Sequence, residues 1–171
     1  GAKFDYEKAK WFNHEWIKQM DAQSLLPVVK TILEEKGLTI NNDQLLEKVI
    51  GLVKERCTLL PDFYEQSSFF FQRPVTIDTD SVKPKWNEAK QLFFAEVIRN
   101  FQLSSTWDAH ELENNFKEMA AVNKIKPGEV LLPFRIMLVG GKFGPHVFDI
   151  AALIGKEETI QRIKNALSLL A

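Results

Sequence analysis

Between Leu132 and Ile150 the chain reads LPFRIMLVGGKFGPHVFDI. An apolar run, a glycine pair, a lysine and then Gly-Pro have the composition of a loop that grips phosphate. Both standard forms of that loop fail on context. A dinucleotide-binding unit needs a strand, a glycine loop, a helix and a second parallel strand, with an acidic residue about 20 positions on. Only helix-like sequence follows Gly144. The phosphate-binding loop of nucleotide hydrolases ends in Lys-Ser or Lys-Thr, whose hydroxyl holds magnesium, and here Lys142 is followed by Phe143. The apolar positions instead fit a helix, with Val130, Phe134, Met137 and Leu138 at i, i+4, i+7 and i+8. Pro127 suits its first turn, Pro133 is expected to kink it, and Gly140-Gly141 to end it. Gly144-Pro145 then restarts a helix with Pro145 in first position. Free amides at that new N-terminus, near Arg135 and Lys142, favour anions or the acceptor edges of bases. A plain helical corner accounts for the same residues.

The remaining chemistry-bearing side chains form no catalytic pattern. His14, His110 and His146 are far apart and lack metal-ligand spacing. Cys57 is the one cysteine, so it forms neither an internal disulfide nor a cysteine-based zinc site. Glu34-Glu35 and Glu157-Glu158 read as solvated helix faces. The aromatic run in SSFFFQ offers rings for base stacking, but core packing uses them more simply. No catalytic residue and no metal ligand set is expected.

The elements that must position these residues are helical nearly throughout. FDYEKAKWFNHEWIKQM places Phe4, Lys8, Trp11 and Glu15 on one stripe, with Asp5 as its cap. Ser24 caps a second helix that stops at Gly37, and Leu45, Val49, Leu52 and Val53 mark the buried face of a third. A short helix over TLLPDFYEQSSFFF comes next. QRPVTIDTDSVKP, residues 72–84, breaks the pattern with two prolines and marks a boundary between two helical subdomains. Beyond it come a helix through Trp86, Phe93 and Phe101, another capped by Thr106 or Ser105, the corner, and two last helices over 145–153 and 157–170. At 171 residues the chain can bury a sizeable core. Its net charge of −1 means that any anionic partner must be met by local clustering of cations. Without a signal peptide or a long apolar run, a cytoplasmic protein outside the membrane is expected.

Three segments together resemble the C-terminal, anticodon-binding region of bacterial glutamyl-tRNA synthetases, which are class I aminoacyl-tRNA synthetases. KFDYEKAKWFNHEWI is similar to the segment after the catalytic half, through Phe4, Asp5, Lys8, Trp11, Asn13 and Ile17. LVKERCTLLPDF is similar to a segment in which an arginine precedes Thr-Leu and an acidic-Phe pair. LLPFRIMLVGGKFGPHVFDIAALIGKEETIQRIKNAL is similar to the closing signature and is the most specific of the three.

The resemblance implies an all-α fold of two helical subdomains. Residues 1–75 would hold a stem-contact tail and the first subdomain, and residues 76–171 the second. The implied partner is the anticodon stem and loop of tRNA. The parent enzyme would attach glutamate to its tRNA with ATP and Mg²⁺, in a catalytic half supplied in cis. This chain would then be a monomeric fragment beginning after that half, with no cofactor and no activity of its own. The family's base-reading arginine falls on Arg56, associated with the third anticodon letter, and the Pro-x-Arg arginine on Arg135. Gly144, Pro145 and Val147 match the residues lining the other splayed bases. A guanidinium offers a rigid fork of donors to a base edge, and small residues let backbone approach an unstacked base. The family often has Leu at Phe134 and Thr-Gly at Val139-Gly140, and Thr or another residue can also stand at Gly144. Lys3, Lys8, Lys10, Lys18, Arg135, Lys142, Lys156 and Arg162 are candidates for the phosphate-facing patch. The competing reading is a helical protein-interaction domain without RNA specificity.

Overall fold

A computed structural model describes residues 13–171. The expected cap Asp5, the stripe through Phe4, Lys8 and Trp11, and the lysines Lys3 and Lys10 lie outside the described residues. All regular structure among the described residues is helical, as the spacing predicted. The chain divides into two compact units, one ending at Gln72 and the other running from Arg73 to Ala171.

In the first unit a helix over 13–19 precedes α1 (Ala22–Glu35), α2 (Asp43–Val53) and α3 (Asp62–Phe71), with a 3₁₀ turn, Lys54–Arg56, closing α2. Leu25, Val29 and Leu33 recur every four residues along α1 and are fully buried, with Leu46, Val49 and Ile50 of α2. The cap of α1 is Asp21, one turn earlier than the expected Ser24. The Asp21 carboxylate accepts from the Ser24 amide at 2.7 Å, so Ser24 is the residue being capped. Asn42 does the same for Leu45 at 3.1 Å. The aromatic run at the end of α3 goes to the core: Phe69 and Phe70 are buried, with ring centroids 4.7 Å apart.

In the second unit two 3₁₀ turns, Thr79–Ser81 and Lys83–Lys85, lead into α4 (Glu88–Leu103), α5 (Ala109–Val122), α6 (Pro127–Val139), α7 (Val147–Ile154) and α8 (Lys156–Leu170). The cap of α5 is Asp108, accepting from the Glu111 amide at 3.0 Å, where Thr106 or Ser105 was expected. The Thr106 hydroxyl bonds the Glu111 carboxylate instead. Helix α6 runs through Pro133 as one element, and α7 starts at Val147, two residues after the expected Pro145.

Phe134 anchors this unit. It is fully buried, and its ring centroid lies 5.1 Å from Phe116, 5.7 Å from Phe148, 6.3 Å from Phe101 and 6.5 Å from Phe94. Aromatic pairs at 4.5–7 Å add to the burial that holds helices in register. This ring is thus the hub joining α4, α5, α6 and α7. With Phe134 turned inward, the next side chain, Arg135, is turned toward the corner.

Candidate nucleic-acid interface

The corner between α6 and α7 is built around three glycines with distinct physical tasks. Gly140 ends α6 with φ +93°, a region that side chains rarely adopt. A Cβ there would meet the Thr76 carbonyl oxygen at 2.9 Å and Pro74 Cβ at 3.0 Å. The Gly140 carbonyl accepts from the Asp78 amide at 2.9 Å, so segment 74–78 is stitched to the helix end. Gly141 lies beneath the Phe143 ring, where a Cβ would come within 2.7 Å of Cε1. Gly144 again has positive φ, +97°.

Arg135 ties the corner together. Its Nη1 donates toward the carbonyl oxygens of Phe143 at 2.9 Å, Gly144 at 3.1 Å and Pro145 at 2.6 Å. Three successive carbonyls pointing at one nitrogen make a curved, fixed loop. A guanidinium holds them better than an ammonium, because its charge and geometry are both fixed. The N-terminus of α7 has its own tether: His146 Nε2 is 2.7 Å from Glu113 Oε2 of α5. Lys117, one turn on from Glu113, bonds the other carboxylate oxygen at 3.1 Å. Hydrogen bonding from Lys117, together with His146, holds the Glu113 carboxyl below the usual range.

The structure therefore gathers Arg135, Gly144, Pro145 and Val147 at one corner of the second unit, but in different states of access. Pro145 is buried and Val147 is 3% exposed. These two shape the loop from beneath. Gly144 is half-buried, while Lys142, Phe143 and His146 face outward.

Arg56 belongs to the first unit. It is exposed at the end of the 3₁₀ turn after α2, with no hydrogen-bond or ion-pair partner among the described residues. Its backbone is fixed by residues 57–62. Cys57 is fully buried, and its carbonyl lies 2.8 Å from His14 Nδ1. The Asp62 carboxylate accepts from the amides of Thr58 at 2.9 Å and Leu59 at 2.8 Å, closing the Thr-Leu-Leu-Pro-Asp turn. Lys54 is turned away from Arg56 onto the Met20 carbonyl at 2.7 Å. The result is a free guanidinium on a rigid base.

Two cations of the expected phosphate patch are turned onto partners within the second unit. Arg162 is 4% exposed and donates to the Leu138 carbonyl at 2.6 Å and to Glu158 at 3.0 Å. Lys156 donates to the Ser104 carbonyl. Both satisfy carbonyls that a helix end leaves without an intrahelical partner. Glu158, expected on a solvated face, is itself bridged by Arg73 and Arg162. The histidines serve packing: His14 at Cys57, His110 beside Asn114, and His146 at Glu113. Among the described residues no group of three or more His, Cys, Asp or Glu could hold a metal.

Residues 6–167 match the family model described as an anticodon binding domain. This chain belongs to that family. The anticodon-binding domain is also similar to the glutamate–tRNA ligase of Flavobacterium johnsoniae, at 42% identity over 99% of this chain and 34% of the ligase. The ligase of Porphyromonas gingivalis is 38% identical over 99% of this chain and 33% of its own length. Among solved structures, a glutamate–tRNA ligase from Elizabethkingia meningosepticum, in complex with its amino acid, superposes with a TM-score of 0.88. Its identity is 34%, over 96% of this chain and 32% of that one. This anticodon-binding domain thus spans about a third of the length of these relatives. Sequence reasoning missed two features of its corner: the clamp made by Arg135 and the exposed ring of Phe143. The second had a signal, since Phe143 is a lone aromatic between Lys142 and Gly144, outside any helical register.

Proposed function

We propose that this chain reads the anticodon loop of tRNA as the recognition part of a glutamate–tRNA ligase. The family match over residues 6–167 carries the reading. The parent enzyme would join glutamate to its tRNA using ATP and Mg²⁺, all in a catalytic half joined in cis to a monomeric protein. The anticodon-binding domain would contribute binding and orientation. Residues 1–75 would form a stem-contact tail and the first recognition subdomain, and residues 76–171 the second. The tRNA would be met in the cytoplasm. Among the described residues no helix is long and apolar enough to cross a membrane.

Each residue has a task in this reading. Arg56 presents its donors to the third anticodon letter, and its freedom from internal partners supports that role. A guanidinium already committed to carbonyls could not form a second planar pair with a base. Arg135 positions the corner by holding the carbonyls of residues 143–145. Gly144 leaves room for backbone to approach a splayed base, while Pro145 and Val147 set the loop's floor.

An anisotropy titration of the chain with tRNA for glutamate tests the proposal. Affinity should fall as salt rises and as anticodon bases are changed. Binding at low salt that ignores the anticodon would overturn base reading.

A further inference from the structure

We infer that the cleft between residues 73–77 and α8 binds a small organic anion, with its acid group on the guanidiniums of Arg73 and Arg162 and its body along the apolar wall. The site lies within the second unit and does not depend on the anticodon reading. The cleft measures about 370 Å³, a size found among small-molecule sites, and its walls are preformed. On one side, residues 73–77 are fixed to the end of α6. The Asp78 amide donates to the Gly140 carbonyl at 2.9 Å, and Gly140 lacks the Cβ that would meet Pro74 and the Thr76 carbonyl. On the other side runs α8, with Asn165 and Leu169 exposed at the rim and Arg162 buried within. Met137 of α6, also buried, lines the cleft between them.

Charge selects the ligand. Arg73 gives Nε and Nη2 to Glu158, while Arg162 gives Nε to the same carboxylate and Nη1 to the Leu138 carbonyl. Arg73 Nη1 and Arg162 Nη2 take no hydrogen-bond partner among the described residues. Two guanidiniums therefore share one carboxylate, and no Asp or Glu is among the described residues that line the cleft. Burial pulls the Arg162 guanidinium below its ordinary value, Glu158 opposes this, and the charge of Arg73 adds to it. A bound anion would supply the second negative charge, and a guanidinium meets carboxylate or phosphate oxygens through paired N–H groups. Arg162 is only 4% exposed, too deep for a phosphate carried on a polynucleotide backbone, so a small molecule fits. Val75, Ile77, Met137 and Leu169 offer its body apolar contact.

The test titrates the ¹⁵N-labelled full chain with phenyl phosphate, benzoate and neutral benzyl alcohol, at constant ionic strength. At least one of the two acids should give saturating amide shifts confined to residues 73–77 and 162–169, and benzyl alcohol should bind far more weakly. Asn165→Asp keeps the side-chain shape and the acceptor for Gln161 while placing a negative charge at the rim. It should leave the melting temperature close to that of wild type and weaken binding of the acid at least about tenfold. Equal binding of the acids and benzyl alcohol would overturn the charge reading, as would an Asn165→Asp variant that binds like wild type. Shifts that fail to saturate, or that fall elsewhere, would overturn the site. If an anticodon stem-loop hairpin of tRNA for glutamate alone shifts residues 73–77 and 162–169, the polynucleotide occupies the cleft and the small-anion inference fails.

Discussion

Arg135 Nη1 stands 2.6 Å from the carbonyl oxygen of Pro145, ten residues on and across the corner. The same nitrogen also faces the carbonyls of Phe143 and Gly144. In the proposed function this arginine therefore acts on RNA through the loop it holds. Arg135→Lys keeps the charge but loses the fixed fork. Bonds to a charged donor contribute about 1.5–3 kcal/mol when whole, so a loss of about 1–2 kcal/mol is expected in chemical denaturation. RNA affinity should fall for every anticodon alike. A selective loss at one letter, with stability unchanged, would show direct base contact instead.

Asp62 and Arg56 should separate support from reading. Asp62→Ala frees the amides of Thr58 and Leu59 and should cost about 1–2 kcal/mol of stability. It should also weaken anticodon discrimination by loosening the turn beneath Arg56. Arg56→Gln, at an exposed position without partners, should leave the melting temperature within the range of about ±0.5 kcal/mol typical of surface changes. In a full-length ligase it should narrow the ratio of kcat/KM between tRNAs differing in the third anticodon letter. An unchanged ratio would exclude Arg56 from that role.

The bridge at Glu158 makes stability depend on pH. Arg73 donates to both carboxylate oxygens, at 2.6 and 3.1 Å, and Arg162 shares the first at 3.0 Å. The bonds from Arg73, then those from Arg162, hold the Glu158 carboxyl below its ordinary value. A depressed carboxylate contributes stability that is whole above its unfolded pKa and is lost as pH falls through the folded one. Thermal midpoints should therefore drop as pH is taken below about 4.5, and the drop should be shallower in Glu158→Gln. At neutral pH that variant leaves the buried Arg162 guanidinium without its carboxylate. A cost of about 2–3 kcal/mol is expected there, near the lower bound for breaking a buried pair because Glu158 is partly solvated. Equal midpoints for the two proteins at pH 7 would show that the bridge contributes nothing.

The all-helical fold was legible in the sequence because apolar residues at three- and four-residue spacing leave one stable way to bury them. Leu25, Val29 and Leu33, or Ile160, Ile163 and Leu167, lie inside as that periodicity requires. Helix caps were legible only to within a turn. Asp21 and Asp108 outcompete the nearby Ser24, Thr106 and Ser105 because a carboxylate three residues before an unpaired amide is the stronger acceptor. Arg162 was not legible as a core residue. A guanidinium on an amphipathic helix looks solvated until a neighbouring helix end presents an unpaired carbonyl, here that of Leu138.

The glycine corner shows the same division. The order of residues from Arg135 to Val147 determined by itself that a helix must stop, turn through glycines and start again, because backbone preferences are local. It also carried the family resemblance, which the match over residues 6–167 bears out. Only the tertiary structure decided which way each side chain faces. Burying Phe134 among four other phenylalanines turns Arg135 onto the carbonyls of 143–145, puts Pro145 and Val147 beneath the loop, and leaves Phe143 outside. Direction is a property of packing across helices far apart in the chain, and spacing along one segment does not encode it.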